Sequence, residues 1–211
     1  MSGGTVFFVD DNAAVRKSMS TMLRSEGLRV QTYASAREIL NFCPSEDTPG
    51  CLILDFKLQR TTGIALYEKL NEKGCYLPFI MLSGVGGVDD ATLAMRRGAV
   101  DFLQKPASLD SILPAIERAF EIDREAKVKR RRVTEFQRLL AKLTPRERQV
   151  LDLVVKGKLT KQIAKVLEIA EKTVDVHRSN ITKKVQSKSV VELVRKYVEY
   201  QRDSKDFRDI S

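Results

Sequence analysis

The first half of the chain alternates unbroken apolar runs with stretches of helical spacing. Residues 51–54 and 79–82 show no polar alternation, the pattern of strands buried on both faces; residues 5–9 are a β-rich run, and residues 28–33 and 100–103 are two further strand candidates. Between them apolar positions recur every three or four residues. These helical stretches run from Asn12 to about Glu26, from Ser35 to Phe42, from Gly63 to about Glu72, from Val88 to Arg97, and onward from near Ser108. Gly27 and Gly98 close the first and fourth of them. Strand and helix alternate five times, which predicts an α/β domain with a doubly wound five-stranded parallel sheet and right-handed crossovers.

The second half has no strand pattern. Residues 108–138 are mostly good helix formers around Pro114, and a proline is tolerated only in the first turns, so the helix start is expected nearer Asp110 than Ser108. Thr144 is a cap, Pro145 takes the first helical position, and Glu147 completes a capping box; that helix stops at Gly157. Helices are then predicted from Thr160 to Leu167, from Glu171 to Lys184 or Val185, and from Val190 to about Tyr200, with a charged, frayed tail from Gln201. Two short helices joined around Glu168 have the spacing of a helix-turn-helix within an all-α four-helix domain. At 211 residues the chain accommodates two domains. The expected division is 1–122, a helical linker over 123–142, and 143–211.

Charge sharpens that division. Residues 1–107 hold 12 Lys and Arg against 12 Asp and Glu, whereas residues 108–211 hold 25 against 16, so the whole +9 excess lies in the second half and points to a polyanion partner there. The linker shares in it, with seven basic side chains against two acidic ones over 124–138. Cys43, Cys51 and Cys75 are odd in number and lack metal spacing, which fits incidental thiols in a reducing compartment. With no signal-like or membrane-length apolar segment, a soluble cytoplasmic protein with no membrane partner is expected.

The candidate chemistry follows from where the apolar runs end. Asp10 and Asp11 follow the first strand, Asp55 ends the third, Ser83 the fourth, and Lys105 the fifth. A parallel sheet puts those ends on one edge, where ligands collect. Clustered carboxylates repel one another unless a hard cation sits among them, and Mg²⁺ suits an oxygen-only site that meets a phosphate. Asp55 then stays ionised as a nucleophile toward phosphorus, while Lys105 and Ser83 meet the phosphoryl oxygens.

On these residues, with Phe102 two positions into the last strand and Lys105-Pro106 behind it, the chain resembles the flavodoxin-like receiver domain of bacterial response regulators. The resemblance implies phosphorylation of Asp55 by a sensor histidine kinase, and Mg²⁺ ligation by Asp11, Asp55 and the Lys57 carbonyl with Asp10 acting through water. It also implies a switching role for Ser83 and Phe102. Two departures stand out. Leu58-Gln59-Arg60 replaces Met-Pro-Gly, so a more mobile loop is expected beside the metal, and Val85 and Gly87 replace a common His and Asp.

Residues 143–194 resemble the LuxR-type helix-turn-helix of NarL/FixJ-family regulators, through LTPRERQVL, IAKVLEIAEKTVDVHRSNI and SVVELVR in order. The resemblance implies double-stranded DNA as partner, with base contacts from Asp175, Val176 and Ser179 and phosphate contacts from Lys172, Thr173, Arg178 and Lys183. A homodimer on activation and contact with RNA polymerase are further expectations. Arg96, Arg97 and Asp101 are the candidate receiver interface, and Val190 and Val194 the candidate interface of the last helix. His177, the single histidine, can serve neither as an internal phosphodonor nor as a metal site. Leu159, Glu168 and Ala170 replace two caps and a turn glycine. Thr160 is expected to take over the first cap, and a DNA-binding domain of modest stability follows. The reading is of a phosphorylation-controlled transcription factor, not an enzyme. Its rivals are a phosphorylation-independent DNA binder whose receiver only dimerises, and a protein-interaction regulator that has lost DNA binding.

Overall fold

The computed structural model describes residues 3–42, 44, 48–84 and 87–208, with the backbone alone at 206–208. Cys43, Val85 and Gly86 lie outside the described residues. The chain divides into two compact units, 1–127 and 128–211.

In the first unit, β1 (Thr5–Val9), β2 (Arg29–Tyr33), β3 (Gly50–Asp55), β6 (Phe79–Ser83) and β7 (Asp101–Gln104) form a parallel sheet in the order β2-β1-β3-β6-β7. Successive side chains of each central strand leave on opposite faces, which is why those strands read as unbroken apolar runs. Phe7, Val9, Leu52, Leu54, Phe79 and Met81 pack beneath α2 (Ala36–Phe42), α3 (Gly63–Glu72) and α4 (Val88–Arg96). Val6, Phe8, Cys51, Ile53, Ile80 and Leu82 form the other core with α1 (Ala13–Ser25) and the start of α5 (Leu109–Ala141). The strand order reverses between β1 and β3, so their carboxyl ends flank the crevice that doubly wound sheets use for ligands.

The segment after Asp55 differs from the expected mobile loop. Lys57–Leu58 (β4) and Thr61–Thr62 (β5) pair antiparallel, with Leu58 buried in the core and Gln59-Arg60 at the turn. The buried leucine and the ladder take the place of the missing proline and glycine. Thr62 then caps α3 by accepting the Ala65 N–H at 3.2 Å. Gly63 must be glycine, since a Cβ there would stand 2.5 Å from the Asp55 carbonyl oxygen.

The second unit contains the end of α5 together with α6 (Pro145–Val155), α7 (Thr160–Leu167), α8 (Glu171–Lys184) and α9 (Val190–Arg208). Phe136 and Leu140 of α5 join a core of Val150, Leu151, Ile163, Val174, Ile181 and Leu193. The Phe136 ring meets Tyr200 at 5.3 Å. The stretch expected as a linker is therefore ordered at both ends. Helix α5 is unbroken from Leu109, with Pro114 in its second turn, and the division between units falls inside it, after Lys127. The tail expected to fray from Gln201 is helical to Arg208, with Asp203 buried: residues 190–208 contain no Gly or Pro to break the helix. Among the described residues no helix is long and apolar enough to cross a membrane.

Candidate functional site

The strand ends converge as expected. Asp10 is fully buried just past β1, Asp55 closes β3, and Ser83 closes β6, all nearly inaccessible, whereas Asp11 is half-exposed. The Asp10 carboxylate is fixed by the Asn12 N–H at 2.8 Å, and Asn12 in turn caps α1. Lys105 follows β7, its N–H donating to the Ser83 carbonyl at 2.8 Å. Its ammonium reaches Asp10 Oδ2 at 2.6 Å and Asp55 Oδ2 at 3.0 Å. The Lys57 N–H donates to Asp55 Oδ1 at 3.3 Å.

The electrostatics are those of a charge cluster lacking a full set of counter-charges. Burial pushes the Asp55 carboxyl up; Lys105 pulls it down and Asp10 pushes it up again, and the net direction is upward. Burial disfavours the Lys105 ammonium, yet its two carboxylate partners outweigh this and hold its pKa above the usual value. Burial is the largest of these effects, and the single Lys105 ammonium is shared between two carboxylates. Ligand oxygens of Asp10, Asp11 and Asp55 lie within 4.8 Å of one another, a donor set that fits a hard divalent cation.

Phe102 is half-buried, its ring edge-on to Phe56 at 6.2 Å, and thus touches the residue after Asp55. Of the interface candidates, Arg96 is exposed, but Arg97 pairs with Glu68 and Asp101 with Arg118. Val190 and Val194 pack against their own domain's core; the neighbouring face of α9 carries the exposed Val191 (80%) and Val198 (55%). The helical period marks both faces as apolar and cannot tell which one the domain covers.

In the second unit, α7 and α8 form the helix-turn-helix. Val174 and Ile181 anchor α8, and Lys172, Thr173, Asp175, Val176, Ser179 and Lys183 are exposed together. Arg178 is half-buried and donates to Thr160 Oγ1 at 2.7 Å, while that hydroxyl donates to Asp175 Oδ1 at 3.4 Å. Thr160 is therefore not the cap of α7. Leu159 holds that position without a side-chain bond, and Gln162 Oε1 accepts the Leu159 N–H at 3.0 Å instead. Glu168 sits at φ +54°, and Ala170 offers no cap to α8. His177 is half-buried and its Nδ1 has no partner among the described residues.

Two ion pairs, each with a buried carboxylate, are not legible in the sequence. Asp123 accepts the Gly50 N–H at 3.0 Å and the Lys127 ammonium at 2.7 Å, and Lys127 also donates to the Thr48 carbonyl. Glu147 completes the predicted capping box and also pairs with Lys184 at 2.7 Å, tying α6 to α8. The i,i+4 spacing of acid and base is a signal that could have found the first pair, but nothing in the sequence aims it at β3. Cys51 and Cys75 are buried free thiols; burial, with Asp123 nearby, pushes the Cys51 thiol far up and leaves it inert.

A sheet of this order with clustered carboxylates at its switch point, in one chain with a helix-turn-helix, defines a signal-receiving regulator of DNA. Residues 6–117 match the response regulator receiver domain, and residues 141–197 match the bacterial regulatory proteins of the luxR family. The chain is 40% identical over 193 residues to the transcriptional regulatory protein TdiR of Thauera aromatica, covering 92% of this chain and 85% of that one. It is 39% identical to the transcriptional regulatory protein FixJ of Rhizobium meliloti, over 92% of this chain and 95% of that one. The low-resolution structure of the response regulator StyR superposes with a TM-score of 0.80 at 36% identity, covering 94% of this chain and 100% of that one. The chain belongs to the FixJ-type two-component response regulators, which join a receiver to a LuxR-type DNA-binding domain.

Proposed function

We propose that Asp55 accepts a phosphoryl group from the phosphohistidine of a sensor kinase, and that the modified protein pairs and binds two half-sites in double-stranded DNA. The observation that carries this reading is the Lys105 ammonium, held 3.0 Å from Asp55 and 2.6 Å from Asp10 with Ser83 on the adjoining strand end. As the Asp55 oxygen–phosphorus bond forms, the donor's phosphorus–nitrogen bond breaks and imidazole departs. Asp10, Asp11 and Asp55, with the Lys57 carbonyl, would hold Mg²⁺, which when bound supplies neutralising charge for carboxylates and phosphoryl oxygens. Lys105 supplies the fixed cation, and Ser83 a hydroxyl that turns to a phosphoryl oxygen.

Phe102 follows Ser83 and the face of α4 and β7 changes between two states. Leu93 and Met95 are exposed on α4 beside Arg96, an apolar and cationic surface fit for pairing. Arg97 and Asp101 join it only by exchanging their present partners, Glu68 and Arg118. In the DNA-binding domain the exposed Val191 and Val198 are better interface candidates than Val190 and Val194. On DNA, Lys172, Thr173, Arg178 and Lys183 meet phosphates, and Asp175, Val176 and Ser179 face base edges. The protein acts in the cytoplasm, and RNA polymerase is its further partner at the promoter.

Size-exclusion chromatography with light scattering tests this on wild type and Asp55→Asn, with and without Mg²⁺ and a small phosphodonor, alongside DNA affinity. The expected result is a phosphodonor-dependent dimer with raised DNA affinity, both lost in the variant. Oligomeric state and affinity unchanged by either would overturn it in favour of a receiver that serves only as a dimerisation module.

A further inference from the structure

A groove of about 580 Å³ opens on the first unit between α2, the β4–β5 hairpin and α3, and Asp11 forms part of its wall. Its other charged residues are all cations: Arg37 from α2, Arg60 from the hairpin turn, and Lys69 and Lys73 from α3. The first 107 residues balance 12 basic against 12 acidic side chains, so gathering four of the cations opposite one carboxylate is a segregation of charge, not an overflow of it. Lys73 is tied to the Leu40 carbonyl at 3.0 Å. Arg37, Arg60 and Lys69 are exposed and form no salt bridge among the described residues. The floor is apolar, with Leu58 buried and Leu40 partly so.

Arg60 gives the groove its link to the chain's sequence. It stands in the Leu58-Gln59-Arg60 turn that distinguishes this receiver, and the hairpin pairing places it on the wall. Guanidinium groups bind phosphate in a bidentate fashion that lysine ammonium cannot match. The volume lies within the roughly 300–1,000 Å³ range of small-molecule sites. We propose that this groove binds a phosphorylated small molecule, a dianionic phosphate ester with a compact apolar body, at a site that borders the phosphoacceptor cluster through Asp11 and excludes Asp10 and Asp55. Arg37 and Arg60 take the phosphate, Lys69 adds charge at the rim, and the Leu40–Leu58 floor takes the apolar part.

Calorimetric titration of the full chain with phenyl phosphate and with inorganic phosphate, in EDTA, tests this. Without a divalent cation the buried Asp10 and Asp55 repel anions, so phosphate at the phosphoacceptor site does not contribute, whereas the lone Asp11 at the groove's edge is outnumbered there by four cations. Saturable binding is expected, tighter for phenyl phosphate by at least threefold and weakened by salt. Arg37→Gln with Arg60→Gln should reduce affinity at least tenfold with the melting temperature unchanged, while Lys17→Gln, an exposed lysine outside the groove, leaves it intact. Binding that survives in the double variant resides on the basic second half and overturns the proposal. So does an absence of binding at millimolar ligand, or capture of a hexaglutamate peptide with no response to phenyl phosphate, which would mark the groove as a protein-docking surface.

Discussion

Asp123 Oδ2 accepts the backbone N–H of Gly50 at 3.0 Å, across 73 residues of sequence. Gly50 opens the strand that Asp55 closes, so β3 is held at one end by a carboxylate from α5 and carries the phosphoacceptor at the other. The same carboxylate pairs with Lys127, the last residue of the first unit. Asp123→Ala leaves the buried Gly50 N–H without a partner and the nearly buried Lys127 ammonium with the neutral Thr48 carbonyl in place of a counter-charge, a loss of about 3 kcal/mol for a broken buried pair. Urea unfolding of the full chain should show it in the receiver transition. Asp123→Asn keeps an acceptor for Gly50 and should lose distinctly less.

Asp55→Asn should raise the stability of the metal-free receiver at neutral pH. The folded site pushes the Asp55 carboxyl up through burial, with Asp10 adding to it, so its ionised form is disfavoured relative to the unfolded chain. A carboxyl with a raised folded value contributes stability that is present at low pH and lost as pH rises through that value. The gain from Asn should therefore be seen at pH 7, shrink on acidification, and shrink again when Mg²⁺ is added to wild type. Thermal melts across pH, with and without Mg²⁺, check all three.

The strands were legible because each central one buries both faces, leaving runs such as Phe7-Phe8 and Leu52-Ile53-Leu54 with no polar interruption. The carboxylate site was legible because a parallel sheet converts strand ends into neighbours. The β4–β5 hairpin was not, since two-residue strands carry no period and depend on the burial of Leu58. The end of α9 was not legible because a charged stretch resembles a frayed tail, whereas here no Gly or Pro interrupts the helix before Arg208. Val190 and Val194 share a helix with Val191 and Val198, and only packing decides which pair faces solvent.

Glu147 joins the cap of α6 to Lys184 of α8, so its loss should weaken the helix-turn-helix scaffold. Burial pushes its carboxyl up, but Lys184 and the N–H and hydroxyl of Thr144 outweigh this and hold it below the usual range. Its stabilising contribution is fully present above the ordinary glutamate value and disappears as pH falls through the lower folded one. Glu147→Ala should cost about 2 kcal/mol at pH 7, combining a lost cap with an unpaired ammonium. Denaturant melts should show the difference from wild type narrowing toward acid.

The turn between α7 and α8 holds removable strain. Glu168 adopts φ +54°, where glycine carries no steric penalty, and Ala170 stands where a hydroxyl could accept an orphan N–H of α8. Glu168→Gly should gain roughly 0.5–1 kcal/mol. Ala170→Ser should gain about 1 kcal/mol. Adjacent sites share a turn, so the pair need not sum, but the double variant should unfold later than either single one in a melt of the DNA-binding domain's transition.

Salt dependence of DNA binding should distinguish the charged residues of α8 from one another. Arg178, braced by the Thr160 hydroxyl, presents a guanidinium already held in place, so a phosphate contact there costs little ordering. Arg178→Ala should weaken binding to all sequences alike and flatten the slope of log affinity against log salt by about 0.9, one phosphate's worth of released counterion. Asp175 lies exposed on the same helix, its carboxylate near the same hydroxyl, and repels the backbone wherever no base donor faces it. Asp175→Asn should therefore tighten binding to random duplex, while affinity for an operator with cytosine at the contacted position stays level or falls. Fluorescence anisotropy over a salt series on both duplexes measures the two effects. A parallel gain on operator and random DNA would assign Asp175 to repulsion alone, without base recognition.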